Sequence, residues 1–232
     1  MPHRGKRYLN ALKLVEPGRA YPMAEAVETL QKFPRARFAE TVEMTLHLGV
    51  DPRQPDQMVR GTVRLPHGSG KSVRVLVFAT GPQAEAAQAA GADWVGYEEL
   101  VRKIQDGWTD FDVAIATPAT MQEVRKLGRI LGPRGLMPNP RVGTVTDDVV
   151  QAVGEVKAGK VEFKVDRTGN LHVPVGKSTF TAQQLLDNAM AVWEAIVKAR
   201  PASAKGQFIQ SATISGTMSP GVKLDVRELT KG

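Results

Sequence analysis

The chain carries two hydrophobic rhythms, and the change between them constrains the fold more than any other feature. Between residues 68 and 159, apolar runs and helix-forming stretches alternate with short turns. Residues 72–78 (SVRVLVF) are a β-branched run suited to a strand buried on both faces, and 82–90 (PQAEAAQAA) are alanine-rich and helical. A short strand is expected at 92–95, a helix at 97–106 closed by Gly107, and a third strand at 111–116. Thr117-Pro118 supplies an N-cap hydroxyl and a proline at the first helical position, and 147–157 is a last helix ending at Gly159. Such β-α-β-α-β-α order predicts a mostly parallel sheet covered by helices.

Outside this stretch the apolar residues alternate. In 41–48 Val42, Met44, Leu46 and Leu48 interleave with Glu43, Thr45 and His47, the pattern of a strand with one wet face. Residues 161–165, 171–175, 208–218 and 222–226 read similarly, with a turn at Thr168-Gly169-Asn170. Helices are expected at 23–31 and 181–199, the latter with Leu185, Leu186, Ala189, Val192, Trp193 and Ile196 at helical spacing. The economical arrangement is an α/β chain of two domains. A discontinuous α+β domain, residues 1–67 and 160–232, carries an inserted α/β domain of residues 68–159. Glycine-bearing crossings near 67–70 and 158–160 suit a hinge. One compact domain whose glycines merely serve loops is the alternative.

Charge follows the same cut. Residues 1–67 hold 11 Lys/Arg against 7 Asp/Glu, and 160–232 hold 10 against 6, whereas 68–159 hold 10 against 11. The whole positive excess of +7 therefore lies in the discontinuous domain, which points to a polyanionic partner. The absence of cysteine excludes disulfides, thiolate zinc sites, iron–sulfur clusters and a cysteine nucleophile. No apolar run reaches the roughly 18 residues of a membrane span. The basic N-terminus lacks the apolar core of a signal peptide, so a soluble cytoplasmic protein that engages no membrane is expected.

Several motifs invite a catalytic reading. Gly68-Ser-Gly-Lys-Ser72 resembles the end of a phosphate-binding loop, but the required first glycine is Leu65 and a strand follows instead of a helix. A nucleotide-dependent enzyme built on the inserted domain is therefore the runner-up. His3, His47, His67 and His172 lie far apart with no metal spacing, so no metal or other cofactor is expected. Asp110 with Asp112 brackets a strand start, and Asp147 with Asp148 sits at a helix N-terminus; both pairs read as structural. Residues 126–140 (KLGRILGPRGLMPNP) admit two readings of equal weight: an anion-binding surface of glycine amides with Arg129, Arg134 and Arg141, or a long connector ordered by proline.

The basic domain has residue types suited to RNA. Arg35 and Arg37 lie beside Phe38, which fits a core position or a nucleic-acid contact equally; Lys160, Lys164 and Arg167 precede His172. Ser211, Thr213, Ser215, Thr217 and Ser219 fall at every second position, hence on one strand face, where hydroxyls can bond 2′-OH and phosphate oxygens. A solvated Ser/Thr face explains the same pattern.

Residues 128–140 (GRILGPRGLMPNP) resemble the signature of the L-one family of ribosomal proteins, found in the mobile stalk of the large subunit. The resemblance extends over nearly the whole chain: GKRY at 5–8, ARFAETVEMTLHLGVDPR at 36–53, VRGTVRLPHGSGKSVRV at 59–75, GADWVG at 91–96, KAGKVEFKVDRTGNLHVPVGK at 157–177 and AKGQFIQSATISGTMSPGVKL at 204–224. Their fit is to the bacterial pattern. The resemblance implies a discontinuous α+β split-sheet domain and an inserted Rossmann-like three-layer α/β domain on a flexible double connection. It also implies a cytoplasmic ribosomal protein, monomeric outside the ribosome, without enzymatic activity. Its implied partners are the large-subunit rRNA stalk, exit-site tRNA, whose movement and release it assists, and its own operon mRNA, whose translation it represses. By position the resemblance implies a main RNA surface of Arg37, Phe38, Glu40 and Thr41 joined by Ser211, Thr217, Met218 and Ser219, with Lys164, Arg167 and His172 peripheral. Ser219 stands where the family has glycine, so it implies either crowding of a backbone approach or an added hydroxyl contact.

Overall fold

The computed structural model describes residues 4–230. In chain order the elements are α1 (Lys6–Leu12), α2 (Met23–Gln31), β1 (Thr41–Leu48), β2 (Arg60–Arg64), β3 (Val75–Phe78), α3 (Pro82–Ala89), β4 (Trp94–Gly96), α4 (Glu98–Gln105) and β5 (Val113–Ala116). There follow α5 (Met121–Val124), α6 (Gly128–Leu131), α7 (Val149–Lys157), β6 (Lys160–Lys164), β7 (Asn170–Lys177), α8 (Ala182–Lys198), β8 (Ile209–Gly216), β9 (Val222–Lys223) and α9 (Val226–Leu229). The chain is thus mixed α/β with several sheets. It forms two compact units, residues 1–70 with 161–232, and residues 71–160.

In the first unit β1 is the centre of an antiparallel sheet of order β7-β1-β8-β9. Alternation does what the sequence pattern requires: Val42, Met44, Leu46 and Leu48 are buried while the residues between them stay partly exposed. Leu171, Val173, Val175, Ala212 and Ile214 join them from the neighbouring strands, and Ala26, Val27 and Leu30 of α2 with Leu185, Ala189, Val192, Trp193 and Ile196 of α8 complete the core. Helix α8 starts at a capping box: Thr181 Oγ1 accepts from Gln184 N, and Gln184 Oε1 accepts from Thr181 N. The opposite face of the sheet carries the partly exposed Glu43, Thr45 and His47 of β1, flanked in register by Pro174, His172 and Asn170 of β7 and by Ser215, Thr213 and Ser211 of β8.

Helix α8 also explains where this unit ends. Asn188 is fully buried; its Oδ1 accepts from His67 N at 3.0 Å, and its Nδ2 donates to Gly68 O at 3.0 Å and Val175 O at 2.7 Å. His67 Nε2 lies 2.8 Å from Asp187 Oδ2. Residues 67 and 68 are thereby fastened to α8, and the two compact units divide just beyond them at 70/71 and, on the return, at 160/161.

In the second unit β3 pairs in parallel with β4 on one side and β5 on the other, and Ala116 bridges Val145 in parallel beyond. Leu76, Phe78, Ala114 and Ala116 face Leu100, Val101 and Ile104 of α4 with Val124, Leu127 and Leu131. Val75, Val77 and Ile115 face Ala87 of α3 and Val149, Ala152, Val153 and Val156 of α7. Burial on both faces is why these strands read as continuous apolar runs.

Three expectations need correction. Thr117 does not cap a helix at 118; Thr117 and Thr120 are buried in a turn whose Thr120 hydroxyl donates to Phe78 O and Thr117 O, and α5 begins only at Met121. The turn expected before Asn170 is present, with Asp166 N donating to Asn170 O, and the strands it joins lie in different sheets: β6 pairs with β2 and β7 with β1. The strand expected to 226 stops at Lys223, since Asp225 caps α9 by accepting from Arg227 N and Glu228 N. Helix α1 and strand β2 were not expected at all.

Asp112 ties the start of the parallel sheet. It accepts from Lys71 Nζ at 2.7 Å and from Arg74 N and Nε at 3.1 Å each. Desolvation pushes its carboxyl up, but the hydrogen bonds from Lys71 and from Arg74's backbone and side chain outweigh it and hold the pKa at about 2. A carboxyl held below its unfolded value of about 3.9 adds stability above that pH and loses it as the pH falls towards 2. The urea midpoint of this unit should therefore differ between wild type and Asp112→Asn at pH 7, with the gap closing between about pH 4 and pH 2. A gap independent of pH would show that the carboxylate charge is not what holds these loops.

Candidate nucleic-acid interface

The exposed face of the first unit's sheet has two ends, separated by the length of β1, on the order of 20 Å. At the Thr41 end, Glu40 organises the site. Its position has the same parity as Val42 and Met44, which turns the side chain inward, and it is 6% exposed. Oε1 accepts from Arg7 Nη1 at 2.9 Å and Ala36 N at 3.1 Å, and Oε2 accepts from Met218 N at 3.1 Å. Its own N–H and C=O bond Ser178 Oγ and Ser178 N. One carboxylate thus joins the 36–40 segment to the 217–219 turn. The resemblance placed Glu40 on an RNA surface; in the structure its carboxylate is turned into the protein.

The turn is fastened twice more. Thr217 Oγ1 accepts from Thr41 N at 3.0 Å while Thr217 N donates to Thr41 O at 3.0 Å, and Ser219 Oγ accepts from Gly216 N at 2.8 Å. Ser219 therefore spends its hydroxyl on the turn itself. A Cβ at Gly216 would lie 2.9 Å from Glu40 Oε2, so a larger residue there would have to shift the carboxylate. What this framework presents is apolar: Phe38 is 54% exposed and Met218 is 55% exposed, which rules out the core reading of Phe38. Around them Arg35 and Arg37 are exposed, and Lys177 Nζ donates to Thr41 Oγ1 at 2.8 Å.

The other group lies elsewhere. Leu48 N donates to Gly169 O, which sets the 166–169 turn, and with it exposed Arg167, at the far end of β1; Lys164 is exposed on β6 just before. Asp166 shapes that turn, and the N–H of Asn170 is the largest of the hydrogen bonds that hold its carboxyl at about 2. His172 sits between the ends, its Nδ1 2.9 Å from Glu43 Oε1 and 3.2 Å from Thr45 Oγ1.

Two sequence expectations about this face change. Ser211 pairs in register with His47, so it belongs with the far end and not beside Thr217. Only Ser211, Thr213 and Ser215 share the exposed face, because β8 ends at Gly216 and Thr217 and Ser219 curl back onto the chain. Sequence reasoning missed Arg7, Lys177 and Ser178, whose partners are distant in the chain. Glu40 was readable as inward had the alternation of β1 been carried back one step.

The tempting motifs of the second unit are structural. Lys71 reaches Asp112, and the Gly70-Lys71-Ser72 turn leads into β3 and not into the helix that a phosphate-binding loop requires. In the 126–140 segment the N–H groups of Gly128, Gly132 and Gly135 donate to Arg125 O, Gly128 O and Gly132 O, which removes the amide cradle of the anion-binding reading. Leu131 is buried, with Leu136 and Met137 packed against the same core, as in an ordered connector. Arg134 bonds Thr109 Oγ1, and Arg129 is exposed. Among the described residues no group of three or more His, Cys, Asp or Glu could hold a metal ion.

The framework residues span the chain from Arg7 to Ser219, and comparison with known proteins covers the same span. Residues 30–220 match the Ribosomal protein L1p/L10e family. The chain is 54% identical over 231 residues to the large ribosomal subunit protein uL1 of Kosmotoga olearia, covering 100% of both sequences. A match through every segment that builds the interface leaves one conclusion: the chain belongs to the L1p/L10e family of ribosomal proteins.

Proposed function

We propose that the chain anchors on the stalk of the large-subunit rRNA through the Thr41 end of the sheet. Membership of a structural ribosomal family makes it a component of the large subunit of the cytoplasmic ribosome and not an enzyme. The observation that carries the finer reading is that two exposed apolar side chains, Phe38 and Met218, sit on the two segments joined by one buried carboxylate, at the end of a hydroxyl-rich sheet face with exposed basic residues. A rigid apolar platform suits ribose and base surfaces, hydroxyls suit the 2′-OH and phosphate, and Arg35, Arg37, Lys164 and Arg167 supply salt-sensitive affinity. In this reading the discontinuous unit acts as the anchor, and the inserted unit, of Rossmann-like topology, swings on hinges at the two crossings, just past the fastened His67 and Gly68 and near 158–160. That motion accompanies exit-site tRNA movement and release, and the same RNA site recognises an rRNA-like fold in the protein's own mRNA to repress it. The test is binding to a stalk-rRNA fragment against an unrelated structured RNA of equal length, titrated over salt. Selective binding that weakens as salt rises is expected; equal weak binding to both RNAs would reject the anchor.

A further inference from the structure

The GKRY segment at residues 5–8 lies in a helix with little reason to stay docked. Helix α1 buries only Ala11 and leaves Leu9 and Leu12 exposed, so apolar contact gives it a weak hold. Arg7 supplies the rest. Its Nη1 donates to Glu40 Oε1 at 2.9 Å and its Nη2 donates to Met218 O at 3.3 Å. One guanidinium therefore grips both halves of the interface: the carboxylate that carries the 36–40 segment, and the main chain of the residue that presents the Met218 side chain.

We infer that Arg7 is a positioning residue for RNA recognition, holding the 217–218 turn in the arrangement that the stalk RNA meets. The inference rests on the stalk-RNA reading above. A planar fork with fixed donor directions can bond a carboxylate and a carbonyl at once, which a lysine ammonium on a flexible stem does less well. Without it, Glu40 keeps its two backbone donors and the Thr217 and Ser219 bonds remain, but the turn loses the bond to the Met218 carbonyl and is held less tightly before RNA arrives. The Arg7 side chain is 32% exposed, so a direct phosphate contact is the rival explanation, and the two differ in what they do to salt dependence.

The experiment compares the full-length wild type with Arg7→Ala and Arg7→Lys in binding to a stalk-rRNA fragment and to an unrelated structured RNA over a salt series. Hydrogen exchange at the Met218 amide is read without RNA. Arg7→Ala should weaken stalk-RNA binding about tenfold, the scale of one lost charge-assisted bond, with the salt slope and the unrelated-RNA affinity unchanged. Its Met218 amide should exchange faster, and Arg7→Lys should fall between the two proteins on both readouts. Undiminished selectivity in Arg7→Ala would overturn the inference, as would an unchanged Met218 exchange rate. A loss equal on both RNAs with a shallower salt slope would also overturn it, in favour of a phosphate contact. If Arg7→Ala does not fold, Arg7→Lys carries the same comparison. Failure of the wild type itself to select stalk RNA would reject the stalk-RNA reading, while Met218 exchange still judges the Arg7 grip.

Discussion

Glu40→Ala should cost the first unit about 3 kcal/mol of stability, the low end of what is lost when one partner of a buried ion pair is removed. The change strands several groups at once. The N–H groups of Ala36 and Met218 lose their acceptor, Arg7 loses its anion, and a void opens where the carboxylate lay against Gly216. The low end is appropriate because Arg7 is partly exposed and can turn its guanidinium to water. Glu40→Gln keeps the shape but sets an NH2 group against one of the N–H donors, so its loss should be smaller than that of the alanine variant. Hydrogen exchange of a β1 peptide under rising urea reads the first unit by itself. A wild-type midpoint for Glu40→Ala would show that the carboxylate does not join the two segments.

Much of the fold was legible because burial imposes period. In β1 the expected and observed bounds coincide at Thr41–Leu48, since one face meets the core and the other does not. The same holds for α2 at Met23–Gln31 and, within a residue at each end, for α8. The three strands of the second unit were placed, each shorter than expected, because apolar residues outside the hydrogen-bonded ladder look no different in sequence from those inside it. Helix α1 was invisible because what docks it is an ion pair between residues 33 positions apart, which leaves no local pattern. Strand β2 was invisible because Arg60, Gly61 and Thr62 are only partly buried and Val63 alone of its five residues is buried.

The site was legible in its residue types more than in its geometry. The Ser/Thr alternation was extended to residue 219 because the sequence gives no sign that β8 stops at Gly216. What takes over beyond Gly216 is the bond from Met218 N to the Glu40 carboxylate, and that carboxylate comes from a segment more than 170 residues earlier. Ser219 illustrates the same limit: its hydroxyl was expected either to crowd an approach or to contact RNA, and it accepts from Gly216 N instead.

Phe38→Ala and Met218→Ala should each weaken binding to the stalk-rRNA fragment by about 1–3 kcal/mol, the range for losing one stacked or tightly packed contact to RNA. The double variant should lose more than either single change. The two side chains are more than half exposed, so their removal should move the protein's own stability by less than about 0.5 kcal/mol. The clamp is unaffected in Met218→Ala, because Glu40 and Arg7 hold the main chain of residue 218 and not its side chain. Thr217→Ala is the informative contrast. Its Oγ1 accepts from Thr41 N, so its loss should weaken RNA binding by about 1 kcal/mol or more and also loosen the start of β1. Affinity measured beside hydrogen exchange at Thr41 separates the two cases: Met218→Ala should change only the first, and Thr217→Ala both. Wild-type affinity in Phe38→Ala and Met218→Ala alike would remove the apolar platform from the interface and leave the Lys164–Arg167 end of the sheet as the surface to test next.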